Sequence, residues 1–150
     1  MAILATLTGI ASISLRGHLQ KNNRARCSLK LQMADRVARR QARQHDVREV
    51  RLRFESDHLE LLTKDSRGRR LDRRFPLPEG VGLEMFDVVG EMAKGLSPDE
   101  IRLNRQGRSA SYALKVECGA TPFWFVVLGG SGQCLELDTE EQVEELLRGR

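Results

Sequence analysis

The sequence predicts an α+β chain: a long N-terminal α-helix, apolar in its first half and amphipathic in its second, packed on an antiparallel β-sheet or two-sheet sandwich. Three observations carry that expectation. From Ala2 to Arg43 there is no proline, and glycine occurs only at 9 and 17, so nothing interrupts a helix of about forty residues. Beyond residue 46 apolar residues alternate with polar ones over short runs, which is the period of strands. No helical pair separates those runs, so antiparallel pairing is expected rather than a βαβ alternation.

The helix divides by composition. Residues 2–15, within ILATLTGIASISL and its flank, carry no charge; fourteen residues are too few to span a bilayer alone, which takes about 20. A basic segment should precede the apolar run of a cleaved signal peptide, and here the run follows Met1 directly. Farther along, Cys27, Leu31, Ala34, Ala38 and Ala42 recur at steps of four, three, four and four, which puts them on one stripe of a helix. Arg36, Arg39, Arg40 and Arg43 fall mainly on the other faces. The first part is therefore expected to be buried in something foreign and the second to pack on its own domain.

After the helix, Val50, Leu52 and Phe54 alternate with Arg51 and Arg53, Ser56–Asp57 gives a turn and HLELLTKD follows, so residues 48–65 read as a β-hairpin. DSRGRR is a turn with Gly68 at its tip. Pro76 and Pro78 restrict the next segment to short or edge strands, because proline cannot donate to the ladder. Residues 87–100 read as a loop, with a helical turn started by Ser97 and Pro98. Strands are expected at 101–104, 111–118, 123–128 and 134–137. Thr139 with Gln142 forms a capping box for an acidic tail helix, EEQVEELLRG. The organisation is thus 1–15 apolar segment, 16–46 amphipathic basic helix, 47–137 antiparallel β domain, and 138–150 acidic helix or tail.

Charge is distributed unevenly. Residues 16–53 hold 12 Arg/Lys against 3 Asp/Glu, so the remainder of the 25 and 21 is 13 against 18. A block of that sign suits an anionic partner, or is a solvated helix face. Phosphate contacts through Arg36, Arg39, Arg40 and Arg43 would make a nucleic-acid-binding module. The region has no aromatic residue before Phe54, so stacking on bases is not supported.

These parts, in this order, resemble the type IV pilin-like proteins, and most the minor pseudopilins of the H or FimT type in type II secretion. The resemblance rests on ILATLTGIASISL; on MADRVARRQARQHDVREVRLRFES; on LPEGVGLE at 77–84; on IRLNRQGRSAS at 101–111; and on FVVLGGSGQCLEL at 125–137. It implies a single-pass protein of a bacterial inner membrane with its globular domain in the periplasm. Its partners would be other pseudopilins in a short filament, and a type IV pilus minor pilin is the neighbouring reading. Ile3, Leu4, Leu7, Ile10, Ile13 and Leu15 would carry membrane retention and subunit packing. The family's basic leader, peptidase-site glycine and early glutamate do not appear, so a prepilin peptidase is a partner only with an upstream leader. About seven to ten further residues there would bring the apolar run to spanning length.

No catalytic residue, cofactor or metal ligand is assigned. VVLGGSG lacks the Gly-Lys-Ser/Thr of a phosphate loop and reads as a hairpin turn; His18, His45 and His58 are far apart in sequence. In an extracytoplasmic domain Cys118 and Cys134, at the ends of neighbouring strand candidates, would form a disulfide closing a loop of about 15 residues, worth about 3 kcal/mol. Three reduced, partly buried thiols are the competing expectation.

Overall fold

A computed structural model describes the backbone of residues 2–149 and the side chains of residues 21–149. The chain is α+β, with one N-terminal helix packed on two antiparallel four-stranded sheets. Helix α1 runs unbroken from Ala2 to Ala42. Its predicted stripe is its buried stripe: Cys27, Leu31, Ala34, Ala38 and Ala42 are at most 3% exposed. The three alanines bring the helix axis close to the sheet, where α1 packs chiefly on β1 and also touches β2, β5 and β6.

Strands β1 (Val47–Phe54) and β2 (His58–Asp65) form the expected hairpin, closed by Phe54 opposite Leu59 and by Glu55 N–H donating to the His58 carbonyl at 2.9 Å. With β3 (Arg70–Pro76) and β5 (Glu100–Leu103) they make the first sheet, in the order β3-β2-β1-β5. The second sheet is β4 (Val81–Val89), β6 (Ser111–Cys118), β7 (Phe123–Leu128) and β8 (Gln133–Leu137), in the order β4-β6-β7-β8. Both strands beside the prolines, β3 and β4, are edge strands, where a missing donor faces no partner.

The expected loop at 87–100 is only partly a loop. Strand β4 extends to Val89 because it pairs with β6 along its whole length, from Val81 opposite Cys118 to Val89 opposite Ser111, with a bulge between Met85 and Asp87. A single 3-10 turn follows at Glu91–Ala93. No helical turn starts at Ser97; its carbonyl instead accepts from Glu100 N–H at 3.1 Å, turning the chain into β5.

One apolar core is shared by the α1 stripe and the inner faces of both sheets, with Leu52, Phe54, Leu59 and Ile101 from the first meeting Tyr112, Leu114, Phe123 and Phe125 from the second. Phe54 and Tyr112 touch ring to ring at 5.4 Å between centroids. On the outer face of the second sheet Ala113, Trp124 and Val126 form a smaller cluster with Val143 of helix α2 (Glu140–Arg148). Strand β7 is therefore covered on both faces, as its unbroken run FWFVVL requires. Helix α2 starts with the predicted capping box, Thr139 and Gln142 bonded reciprocally, and Arg148 donates twice to Asp87.

Candidate functional site

The most organised polar site lies between α1 and two turns of the β domain. Asp35 and Arg39 are one helical turn apart, on the edge of the buried stripe. Both are nearly inaccessible, at 2% and 7% exposed. Arg39 Nε donates to Asp35 Oδ2 at 2.6 Å, one Nη donates to the carbonyls of Gly107 (2.8 Å) and Gly129 (2.9 Å), and the other to Ser109 Oγ at 3.2 Å. The second carboxylate oxygen of Asp35 accepts the Tyr112 hydroxyl at 3.0 Å. Buried charges persist when paired and hydrogen-bonded, and every nitrogen and carboxylate oxygen of this pair has a partner. Burial, then the adjacent Asp35 carboxylate, holds the Tyr112 hydroxyl well above its ordinary value, so Tyr112 stays a donor.

The two turns are shaped for that guanidinium. A Cβ on Gly132, whose φ is +75°, would stand 2.9 Å from Arg39 Nε. One on Gly129 would run into the backbone of Ser109 and Ala110, so these strands approach as closely as only glycine permits. The glycine-bearing phrases NRQGRSAS and LGGSGQ are thereby brought together around one side chain of α1.

This corrects the basic-helix expectation. Only in the alternative nucleic-acid reading would Arg39 contact phosphate from a solvated face; it is buried and committed to internal acceptors. Arg43 is exposed but donates to the Gln106 carbonyl at 3.2 Å. Arg36 and Arg40 are exposed on the outer side of α1. Farther up the helix, Arg24 reaches Glu136 (3.0 Å) and Asp138 (2.9 Å) and lies over the Phe123 ring at 4.6 Å. Much of the basic block thus fastens α1 to its own domain, a role that charge counting could not reveal. The signal available in sequence was the i,i+4 Asp35–Arg39 pair beside the alanine stripe.

Of the two expectations for the cysteines, the Cys118–Cys134 disulfide is not formed; Cys27, Cys118 and Cys134 are free. Cys134 pairs across β7 with Val127, which faces Tyr112, and Tyr112 is six residues from Cys118 on β6. That separation is about 20 Å along the strand, far beyond the reach of a disulfide. Burial pushes the Cys27 thiol up to about 12, with Cys118 adding to the shift, and the Cys134 thiol up to about 11. All three behave as packing groups.

The single-pass inner-membrane anchor is also overturned: among the described residues no helix is long and apolar enough to cross a membrane. The apolar run stops at Leu15, and Arg16, Lys21, Arg24, Arg26 and Lys30 follow on the same helix. The side chains of Ile3, Leu4, Leu7, Ile10, Ile13 and Leu15 lie outside the described residues.

The outer face of the first sheet carries a lattice of ions that the alternating pattern placed outward without revealing its partners. Glu100 lies between Arg53 (2.5 Å) and Arg51 (3.4 Å), Glu60 between Arg74 (2.8 Å) and Arg53 (3.6 Å), and Glu49 between Arg51 (2.8 Å) and Arg102 (3.1 Å). Each carboxylate bridges two guanidiniums from neighbouring positions, cancelling the repulsion of like charges set side by side. Burial alone would raise the Glu100 carboxyl; Arg53 and Arg51 outweigh it and hold the group below the ordinary carboxylate range. The turn at VVLGGSG is a hairpin, with Gly132 N–H donating to the Leu128 carbonyl at 2.7 Å. Among the described residues no group of three or more His, Cys, Asp or Glu is placed to hold a metal ion.

No family model, curated protein or solved structure matches the chain.

Proposed function

We propose that this chain is a structural subunit of a pilin-like filament, of the minor pseudopilin class that serves type II secretion. The observation that carries the reading is the division of α1. Its second half is fixed to the β domain by a buried stripe and by Arg24, Arg39 and Arg43. Its first third, residues 2–15, is an uncharged apolar run on the same continuous helix. A 41-residue helix is about 60 Å long, so one rigid rod joins a folded domain to a segment suited to packing against its equivalents. The same rod would serve a type IV pilus minor pilin. The nucleic-acid reading loses two of its four arginines to internal carbonyl acceptors.

In this role the chain works by geometry. The apolar half supplies adhesion between subunits, and the buried Asp35–Arg39 pair fixes the position of the β domain along the rod. Replacing Leu7 or Ile10 by arginine tests it. Assembly of the purified full chain, followed by sedimentation and negative-stain microscopy, is expected to be abolished, while a protease-resistant fragment of the β domain survives. Filaments that form equally well with Leu7→Arg would refute the proposal.

A further inference from the structure

Among the described residues four large hydrophobic side chains are left substantially in water: Leu29 (65% exposed), Met33 (49%), Leu71 (67%) and Leu146 (40%). Two share one stripe of α1, and one is on α2. With Arg36 and Arg40, Leu29 and Met33 follow at steps of four, three and four, so the four residues share the α1 face turned away from the sheets. They line a shallow trough of about 400 Å³ together with Gln32 and Val37. Among the described residues neither Arg36 nor Arg40 has an acidic group within ion-pair distance.

Helix α2 has the opposite character. Val143 is buried in the cluster on the second sheet, Leu146 is exposed beside it, and Glu140, Glu141, Glu144 and Glu145 are all exposed. The two helices cannot meet within one chain. The α1 stripe packs with Tyr112, Leu114 and Phe125, whereas α2 packs with Ala113, Trp124 and Val126; alternate residues of a strand point to opposite faces, so the helices cover opposite sides of that sheet.

We propose that the outer stripe of α1 docks the acidic helix α2 of a second copy of this chain, head to tail. Leu146 covers Leu29 and Met33, and Glu141 and Glu145 face Arg36 and Arg40. The lengths agree: α2 has nine residues, about 14 Å, and the span from Leu29 to Arg40 is about 17 Å. The contact joins two different surfaces on opposite sides of the molecule, so it is heterologous, and it closes into a ring or continues as a filament according to the rotation between copies. So short a helix buries less than the roughly 800 Å² per partner of a self-sufficient interface. It sets register in an assembly whose adhesion comes from elsewhere, and to that extent the inference rests on the filament reading.

The test is a charge swap in the full chain. Arg36→Glu with Arg40→Glu, and separately Glu141→Arg with Glu145→Arg, are each expected to weaken self-association by about tenfold or more in sedimentation at low salt. Combining all four substitutions should restore it. A control pair that alters exposed charge elsewhere, Arg48→Glu with Arg105→Glu, should leave association within about threefold of the parent. In a chain carrying both Met33→Cys and Leu146→Cys, a short bis-maleimide joining position 33 of one copy to position 146 of the next should give ladders of cross-linked copies. If filaments form but respond to neither reversal, or if the four-residue swap fails to rescue, the docking is wrong and the filament reading stands. If the parent chain never self-associates, both fail. If only the α1 reversal acts, and it also abolishes retention of a labelled DNA duplex, the stripe serves nucleic acid and the proposal is overturned.

Discussion

Arg39 and Arg40 are adjacent in sequence and opposite in fate. One is enclosed by Asp35, Ser109 and two glycine carbonyls; the other faces water. Removing one partner of a buried pair leaves an uncompensated charge, at about 3–5 kcal/mol, whereas replacing both with apolar groups is far less harmful. We therefore expect Arg39→Met to lower the urea unfolding free energy by about 3–5 kcal/mol, and Asp35→Leu with Arg39→Met to recover a large part of it. Arg40→Met should change it by under about 0.5 kcal/mol. Equal effects at positions 39 and 40 would mean that the enclosure seen for Arg39 does not operate. The stripe Cys27–Ala42 was legible because helical spacing alone marks a packed face. The place of Arg39 was not, since its acceptors come from turns 68 and 90 residues away in sequence.

Elements differ in how far pattern alone defines them. The hairpin of β1 and β2 and strand β6 follow from alternation and turn chemistry, strand β7 from its unbroken apolar run between turns, and the capped α2 from the Thr139–Gln142 box. The extension of β4 to Val89 does not, because it depends on the length of β6 beside it. Likewise alternation assigned Arg51 and Arg53 to the outer face of β1, while Glu100 entered that face only through the pairing of β5 with β1. That pairing has a consequence in acid. The Glu100 carboxyl is held below its ordinary value, so the stability it contributes is present above about pH 4.3, the value in an unfolded chain. It is lost as pH falls through the folded-state value, when protonation leaves Arg51 and Arg53 without their shared acceptor. Thermal melting from pH 6 to pH 2 should show a drop that is visibly smaller in Glu100→Gln, which has already lost the charge at neutral pH. Parallel curves for the two proteins would count against this account of the sheet.

Across the molecule the chain alternates between layers: β4 belongs to the second sheet, β5 to the first and β6 to the second again. Neither sheet is a continuous stretch of sequence, and both bury their inner faces in one core with α1. We expect a single cooperative transition, with Trp124 fluorescence, reporting the outer face of the second sheet, coinciding with far-ultraviolet circular dichroism in urea. Separated midpoints would show that the sheets unfold as independent units. The alternation also bears on what happens when α1 is pulled along its axis. Arg39 bears on the Gly107 carbonyl, in the turn that leads from one sheet to the other, and on the Gly129 carbonyl, in a turn of the second sheet alone. Shear on the rod is therefore divided between both layers at once. Drawing the helix out means giving up its bonds to both layers, so one buried guanidinium serves as a rivet against mechanical extraction.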